Sequence, residues 1–359
     1  MKTSFKKLAA LSAACVMALS LTACGEDTAT IGKIGGIDVP AGIYLYNSVG
    51  VYNEVSMKKT EEQASVWDVT VDGKTAEQYI TDEALLRTKK FVAIEKKFDE
   101  LGLTLTEKEK DYYIKSAESA YEQSKEAFID SGISVDSLSK LVINDAKYAA
   151  LFAAYYDAET GIEPIKASEI NKYIKDNYAR VEIVQVSLKD ADGNLLKGAD
   201  KEKAINRAKS YLKRAETEDF AAIIYDESNY RLKQSAESSG TEYEPFVYNP
   251  DEIEEYSLEE IIDKEYPPVP ASAAEEIFAH KADGKPFLIE SSENYYVVKR
   301  LNILEREGIV DTYKATVLQA LKSEEFKALE TKWAEELDME WNEKAKERYA
   351  PKKLKVAVE

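Results

Sequence analysis

The chain of 359 residues is acidic, with 67 Asp and Glu against 48 Lys and Arg and a formal net charge of −19. A charge of this sign excludes nucleic acid as a partner, because phosphates are bound by Lys and Arg, and it opposes close contact with anionic lipid. The hydrophobic fraction of 44% is sufficient for a folded core, and the length suggests two domains. The acidity serves solubility, and it leaves open a weak attraction to basic unfolded chains.

Residues 1–23 are typical of a bacterial lipoprotein signal peptide. Three lysines lie within the first seven residues, and residues 8–21 form an apolar stretch that is shorter than the roughly 20 residues of a spanning helix. The stretch ends in LTAC, which matches the lipobox whose cysteine accepts lipid. We predict cleavage before Cys24 and anchoring to the outer face of the bacterial cell membrane through acyl chains, such as palmitate, on Cys24. The alternative is a plain signal peptide with an incidental cysteine.

Cysteine usage limits the chemistry of the mature chain. Cys15 lies in the signal and Cys24 is the predicted anchor, so no internal disulfide, Cys nucleophile or Cys metal cluster is available. Cleavage removes three lysines and no acids, which makes the mature charge −19 − 3 = −22. Residues 24–30 are predicted to form a polar tether.

The next part of the chain predicts short strands and then long helices. Residues 29–40 read as two short apolar pieces around a Gly-Gly turn, and a helix begins near Ala41. Residues 56–74 are polar and irregular. Apolar residues at three- and four-residue steps predict a helix over Thr75–Leu101, with Gly102 positioned to cap its end.

Two further helices complete a predicted helical module. Thr106 and Glu109 have the spacing of a capping box, and the helix that they open is expected to end near Ile129. Another helix is expected from Ser134 to Tyr156. Six tyrosines on this module are either a client-binding cradle or ordinary packing residues: Tyr112, Tyr113, Tyr121, Tyr148, Tyr155 and Tyr156.

Residues 166–303 predict a small α+β module. Its β-rich pieces are interrupted by helices, and residues 229–268 are acidic, Tyr-rich and turn-like. The predicted helices are 165–177, 200–216, 218–225 and 273–279, and the predicted strands are 181–188, 287–290 and 295–301.

A last long helix from Gly308 carries an apolar stripe at near-heptad spacing, which needs an apolar partner. The predicted partner is the helical module, so the N- and C-terminal parts would form one helical domain with the α+β module inserted between them. The stripe consists of Tyr313, Val317, Leu321, Leu329, Trp333, Leu337 and Trp341.

The chain resembles the extracytoplasmic parvulin-type foldases, the PrsA-like lipoproteins and their SurA-like periplasmic relatives. The resemblance is carried by IDVPAGIY at 37–44, LGLTLTEKE at 101–109, SGIS at 131–134, EDFA at 218–221 and NYYVVK at 294–299, in this order behind the lipobox. It implies a mainly α fold with an inserted α+β module: a helical chaperone domain from residues 31–165 and 304–350, a parvulin-like domain over 166–303, and a tail over 351–359.

The resemblance also implies a site for prolyl cis-trans isomerisation, in which two histidines lie beside an apolar proline pocket. The family's first histidine corresponds to Gln185 and its second to Tyr296, and the aromatic floor of the pocket corresponds to Ala273. The family's loop with a Cys or Asp is replaced by residues 229–268. Peptidyl-prolyl isomerase activity would therefore be weak or absent.

Other chemistry has little support in the sequence. The chain's single histidine, His280, falls in a turn off both family positions, so neither a histidine triad nor a usual zinc site is expected. The acidic run 251–265 lacks the spaced loop of an EF-hand. No cofactor or metal is predicted.

These observations predict a membrane-anchored chaperone or foldase whose partners are unfolded exported polypeptides. Two alternatives stay open: an active prolyl isomerase that uses a site without histidine, and a solute-binding lipoprotein of a transporter. The second alternative fits the anchor, but such proteins usually show repeated β-α units, and here the helices are long and the strands few.

Overall fold

The computed structural model describes residues 28–190, 192–254 and 256–355, so Cys24 and the predicted cleavage site lie outside the described residues. The chain divides into two compact units: unit 1 is 1–153 with 325–359, and unit 2 is 154–324. These boundaries fall inside two long helices, whereas the sequence analysis placed them at 165/166 and 303/304.

The structure is mainly helical with smaller sheets. In chain order the elements are β1 Thr30–Ile34, β2 Ile37–Pro40, α1 Ala41–Ser56, β3 Thr70–Val71, β4 Lys74–Thr75, α2 Ala76–Glu100, α3 Glu107–Gln123, α4 Lys125–Asp130, α5 Val135–Tyr156, α6 Ala167–Asn177, β5 Tyr178–Ser187, α7 Gly198–Arg214, α8 Phe220–Ser239, β6 Glu260–Asp263, α9 Ala271–Ala279, β7 Pro286–Glu290, β8 Asn294–Leu301, α10 Ile309–Glu335, β9 Met339–Trp341 and α11 Glu343–Arg348. Within the described ranges, no helix has the length and apolar character needed to cross a membrane.

The predicted helix boundaries of unit 1 are largely confirmed by their caps. Thr75 and Thr106 each accept a hydrogen bond from the backbone three residues on, within a reciprocal capping box. Gly102 has φ +66°, the left-handed conformation expected after a helix end. The helix that was expected to run to Ile129 is interrupted at Ser124, where φ is −128°, and therefore forms α3 and α4.

The C-terminal strand β9 corrects the prediction of a single apolar helical stripe. Helix α10 ends at Glu335, and Trp341 lies on β9, which pairs antiparallel with β1 in the sheet β2-β1-β9. Gly32 of β1 has φ +140°, and a Cβ there would lie 2.1 Å from the Glu340 carbonyl oxygen, so only glycine allows this close approach. Leu321, which was also assigned to the buried stripe, is 42% exposed.

The part of α10 in unit 1 is anchored by an aromatic cluster around Phe326. Its ring is fully buried and meets Tyr148 and Phe152 of α5 edge-on, with centroid distances of 4.9 and 5.4 Å. Trp333 lies two helical turns further along α10, and its ring centroid is 5.7 Å from that of Phe326. Among the six tyrosines of the helical module, Tyr148 is thus a packing residue, and only Tyr112 is largely exposed, at 68%.

Both chain ends of the described region are fixed in unit 1. Thr28, assigned to the tether, is buried and accepts a hydrogen bond at its Oγ1 from Arg348 (3.0 Å). Pro351, assigned to the tail, is also buried, and Lys352 forms an ion pair with Glu77 at 2.8 Å. Thr28 and Pro351 are therefore both packed in unit 1.

Unit 2 is built on a four-stranded antiparallel sheet in the order β6-β5-β8-β7. Side chains alternate between the two faces of a strand, and each face packs against different helices. Val184 and Val186 pack with residues of α7 and α8, whereas Val181 and Tyr296 pack with residues of α9.

Residues 226–263 of unit 2 are not turn-like as predicted, since they contain the second part of α8 and all of β6. Helix α8 does not end near Tyr225 but continues to Ser239, where Gly240 caps it at φ +67°. Beyond Tyr225 the helix is mostly polar and lacks an apolar period, and ion pairs from α7 fix its middle, for example from Arg214 to Asp226 (2.7 Å). The predicted turn region also contains β6, whose four residues pair with the start of β5.

Candidate functional site

Two of the predicted site residues are neighbours on the sheet of unit 2. Gln185 on β5 lies directly opposite Tyr296 on β8, so their side chains lie on the same face. The Gln185 amide donates a hydrogen bond to Asn294 Oδ1 at 2.8 Å. Gln185 is exposed, whereas Tyr296 is 2% exposed.

Burial reinforces the neutral state that the Tyr296 phenol has at pH 7. Desolvation raises the pKa of its phenol, and this effect exceeds the lowering by a hydrogen bond with Asn294. The phenol is therefore neutral at pH 7, and it acts as a hydrogen-bond donor or acceptor and not as a base. Gln185 is neutral at any pH, so this pair of residues offers hydrogen bonding without proton transfer near neutrality.

Ala273, the third predicted residue, lies near the start of α9 and is 1% exposed. It belongs to the same apolar cluster as Tyr296, together with Val181, Ile262 and Val298. Its methyl group is part of the packing between α9 and the sheet. The structure thus brings all three positions to one face of the sheet, with Ala273 in the packed layer.

A cavity of about 330 Å³ opens beside Gln185 and Tyr296. Its wall is mixed, because aliphatic side chains and proline alternate with neutral and charged polar groups. The lining residues are Ile183, Val184, Gln185, Ile224, Glu227, Ser228, Arg231, Glu260, Pro268, Val269 and Tyr296. A wall of this kind fits a segment of polypeptide better than it fits a uniformly apolar ligand.

Glu227 is the buried charge of this wall, at 4% exposed. Desolvation raises the pKa of its carboxyl group, and the Arg207 guanidinium opposes this rise through a bond from Nε to the carboxylate of 2.8 Å. Arg207 also stacks on Tyr230, with its guanidinium carbon 3.6 Å from the ring centroid. The carboxylate is therefore satisfied by α7, and its role is to hold α8 against α7.

Sequence reasoning missed the part of the cavity that α8 and the segment after it contribute. Ile224, Glu227, Ser228 and Arg231 share one helix face, but only Ile224 is apolar, so no apolar period in the sequence marked this continuation of the helix. Glu260 follows from β6, a strand with only two apolar residues, which gives no such signal either.

His280 lies outside this cavity. It caps the end of α9, its Nδ1 is 2.9 Å from the Glu276 carbonyl oxygen, and its ring stacks on Phe287 at 3.7 Å. The cavity therefore contains no imidazole. In the described part of the chain, no group of three or more His, Cys, Asp and Glu is arranged to hold a metal ion.

Comparisons with known proteins give matches only among solved structures. No protein-family model matches the chain, and no curated protein matches it. The foldase protein PrsA of Streptococcus pneumoniae is 17% identical, with 72% of this chain and 86% of that chain covered and a TM-score of 0.28. The PrsA of Lactococcus lactis is 14% identical over 89% and 99%, with a TM-score of 0.32, and that of Bacillus subtilis is 14% identical over 90% and 98%, with a TM-score of 0.22. At these values the function has to be argued from the residues of this chain.

Proposed function

We propose that the chain is an extracytoplasmic chaperone of the foldase type, anchored to the membrane through Cys24, which holds unfolded exported polypeptides and has little or no prolyl isomerase activity. The proposal assigns residues 31–165 and 304–350 to a helical chaperone domain and residues 166–303 to a parvulin-like domain. The sequence resemblance supports this assignment, and so does the nesting of one compact unit within the other along the chain.

The observation that carries the proposal is the pairing of Gln185 with Tyr296 beside the cavity. The resemblance assigns histidines to these two positions. Rotation about a prolyl bond has a barrier of about 18–20 kcal/mol, and lowering it requires a pocket that grips proline. Here an alanine stands at the position of the aromatic floor and is packed into the core, so the cavity retains room for a peptide but lacks the family's catalytic groups.

Suppression of aggregation tests the proposal. A reduced, unfolded model protein is diluted into buffer with and without the soluble form of the chain, and light scattering is followed over time. We expect scattering to fall with increasing amounts of the chain and to be unaffected by an equal mass of serum albumin. Undiminished scattering would refute the chaperone assignment. Strong thermal stabilisation by one small solute in a screen would instead favour a solute-binding protein.

A further inference from the structure

The cavity beside Gln185 reaches from the sheet face that carries Gln185 and Tyr296 to the margin of β5. Ile183, Val184 and Gln185 are consecutive on β5 and all line it. Consecutive side chains of a strand point to opposite faces, and Val184 indeed packs with α7 and α8 while Ile183 packs on the α9 side. Because residues of both orientations line it, the cavity also runs along the margin of β5.

This margin of β5 has no partner strand beyond Val181. Strand β8 pairs with one edge of β5 from Arg180 to Ser187, whereas β6 covers the other edge only from Tyr178 to Val181. Among the described residues, no strand pairs with that second edge over 182–187. The outward-facing amide and carbonyl groups of such an edge lack backbone hydrogen-bond partners, and a strand from another chain can provide them.

The walls on either side of this edge form a groove. Ile224 and Ser228 of α8 line one side, and Pro268 with Val269 lines the other. Strand β6 begins at Glu260, which pairs with Val181. Beyond this pair, toward Ser187, β6 no longer covers the edge of β5. The groove therefore continues the line of β6 along β5, which is the space that one additional strand would occupy, about 4.8 Å from β5.

The charge of the groove indicates which chain would fit. Arg231 is exposed and lines the cavity, and its charge lowers the pKa of the nearby Glu227, but no described carboxylate is hydrogen-bonded to it. The neighbouring carboxylate, Glu227, is already bound by Arg207. A guanidinium whose donors are not bound to a carboxylate, beside an unpaired strand edge, favours a segment that carries an acidic side chain, because charge-assisted hydrogen bonds are stronger than neutral ones.

We propose that the edge of β5 from Glu182 to Ser187 captures an extended segment of an unfolded polypeptide as an added antiparallel or parallel strand, with an acidic side chain of that segment bound by Arg231. Hydrogen bonds between the main chains of β5 and the client supply affinity that does not depend on the client's sequence, which suits a chaperone of many clients. The apolar wall and Arg231 supply a preference among client side chains. This inference rests on the proposed chaperone function and specifies where and how a client is held.

The test uses a fluorescein-labelled peptide in which valine and threonine alternate around one central glutamate, titrated with the full mature chain by fluorescence anisotropy. Arg231→Glu should weaken binding by about tenfold or more. Lys233→Glu is the matched control, since Lys233 is exposed on the same helix but outside the cavity, and it should leave the affinity within about twofold. Equal effects of the two substitutions would overturn the role of Arg231.

Strand addition is tested by methylating backbone nitrogens of the same peptide. Alternate amides of an added strand face β5, and the others face solvent. Methyl groups on one alternate set should abolish binding, while those on the other set should preserve it. If the two sets act equally, the strand-addition proposal fails. A chain that suppresses aggregation yet shows no such difference is a chaperone that holds clients elsewhere, whereas failure to suppress aggregation removes the proposed function itself.

Discussion

Replacing Phe326 with alanine tests whether the aromatic cluster on α10 holds unit 1 together. The ring is fully buried and meets three other rings at 4.9–5.7 Å. Truncating a buried phenylalanine costs about 3–5 kcal/mol, and the edge-on ring contacts place the expected loss at about 4 kcal/mol. For a domain of this size, each kcal/mol lowers the melting temperature by about 2–4 °C, so the expected decrease is about 8–16 °C.

Thermal unfolding followed by circular dichroism measures this decrease. Leu321→Ala is the control on the same helix, because Leu321 is 42% exposed and its truncation should change stability by no more than about 0.5 kcal/mol. If the first unfolding transition of Phe326→Ala has the same melting temperature as that of Leu321→Ala, the reasoning is refuted. In that case, the cluster would not contribute to the cooperative core.

Three further predictions concern the anchor, the isomerase activity and an ion pair. Cys24→Ser should move the protein out of the membrane fraction of its native host, and continued labelling with a radioactive fatty acid would contradict the lipid assignment. The rate of prolyl isomerisation, measured without a coupling protease, should be near background. The double variant Gln185→His, Tyr296→His should not restore activity, because Ala273 still replaces the aromatic floor of the pocket. A rate typical of a parvulin in either protein would contradict this prediction. The pKa of Asp157 lies well below its ordinary value of 3.8, chiefly through a 2.8 Å bond from Lys314, so the ionised form stabilises the fold. Asp157→Asn should therefore melt below the wild type at pH 7, with a difference that shrinks as the pH falls below 3.8; a difference independent of pH between 7 and 2.5 would exclude this ion pair as its source.

The elements that sequence could predict are those with strong local signals. The capping boxes at Thr75 and Thr106 predict the starts of two helices, and Gly102 predicts the end of one. The alternation in β5 and β8 likewise gave two central strands. In each case the residues that determine the structure lie within a few positions of one another.

The elements that sequence could not predict depend on distant partners. Beyond Tyr225, α8 is mostly polar, and arginines of α7 bind Asp226 and Glu227 at the start of this part. Segment 260–263 is a strand because β5 lies beside it. Trp341 continues the apolar spacing of α10 in the sequence, but it lies on β9 and pairs with Gly32 of β1. For the same reason the site was found in part: Gln185 and Tyr296 follow from strand patterns, whereas Arg231 depends on how far α8 extends.

The pairing of β1 with β9 has a consequence for the order in which the two units form as the chain is made. Unit 1 needs residues that are far apart in the chain, including Thr28 and Arg348, so it cannot be complete until Arg348 has emerged. Unit 2 is one continuous segment, and the contacts within it become available earlier. A chain that emerges N-terminus first therefore exposes the apolar surface of α1 and α2 to solvent while unit 2 folds, and unit 1 closes last.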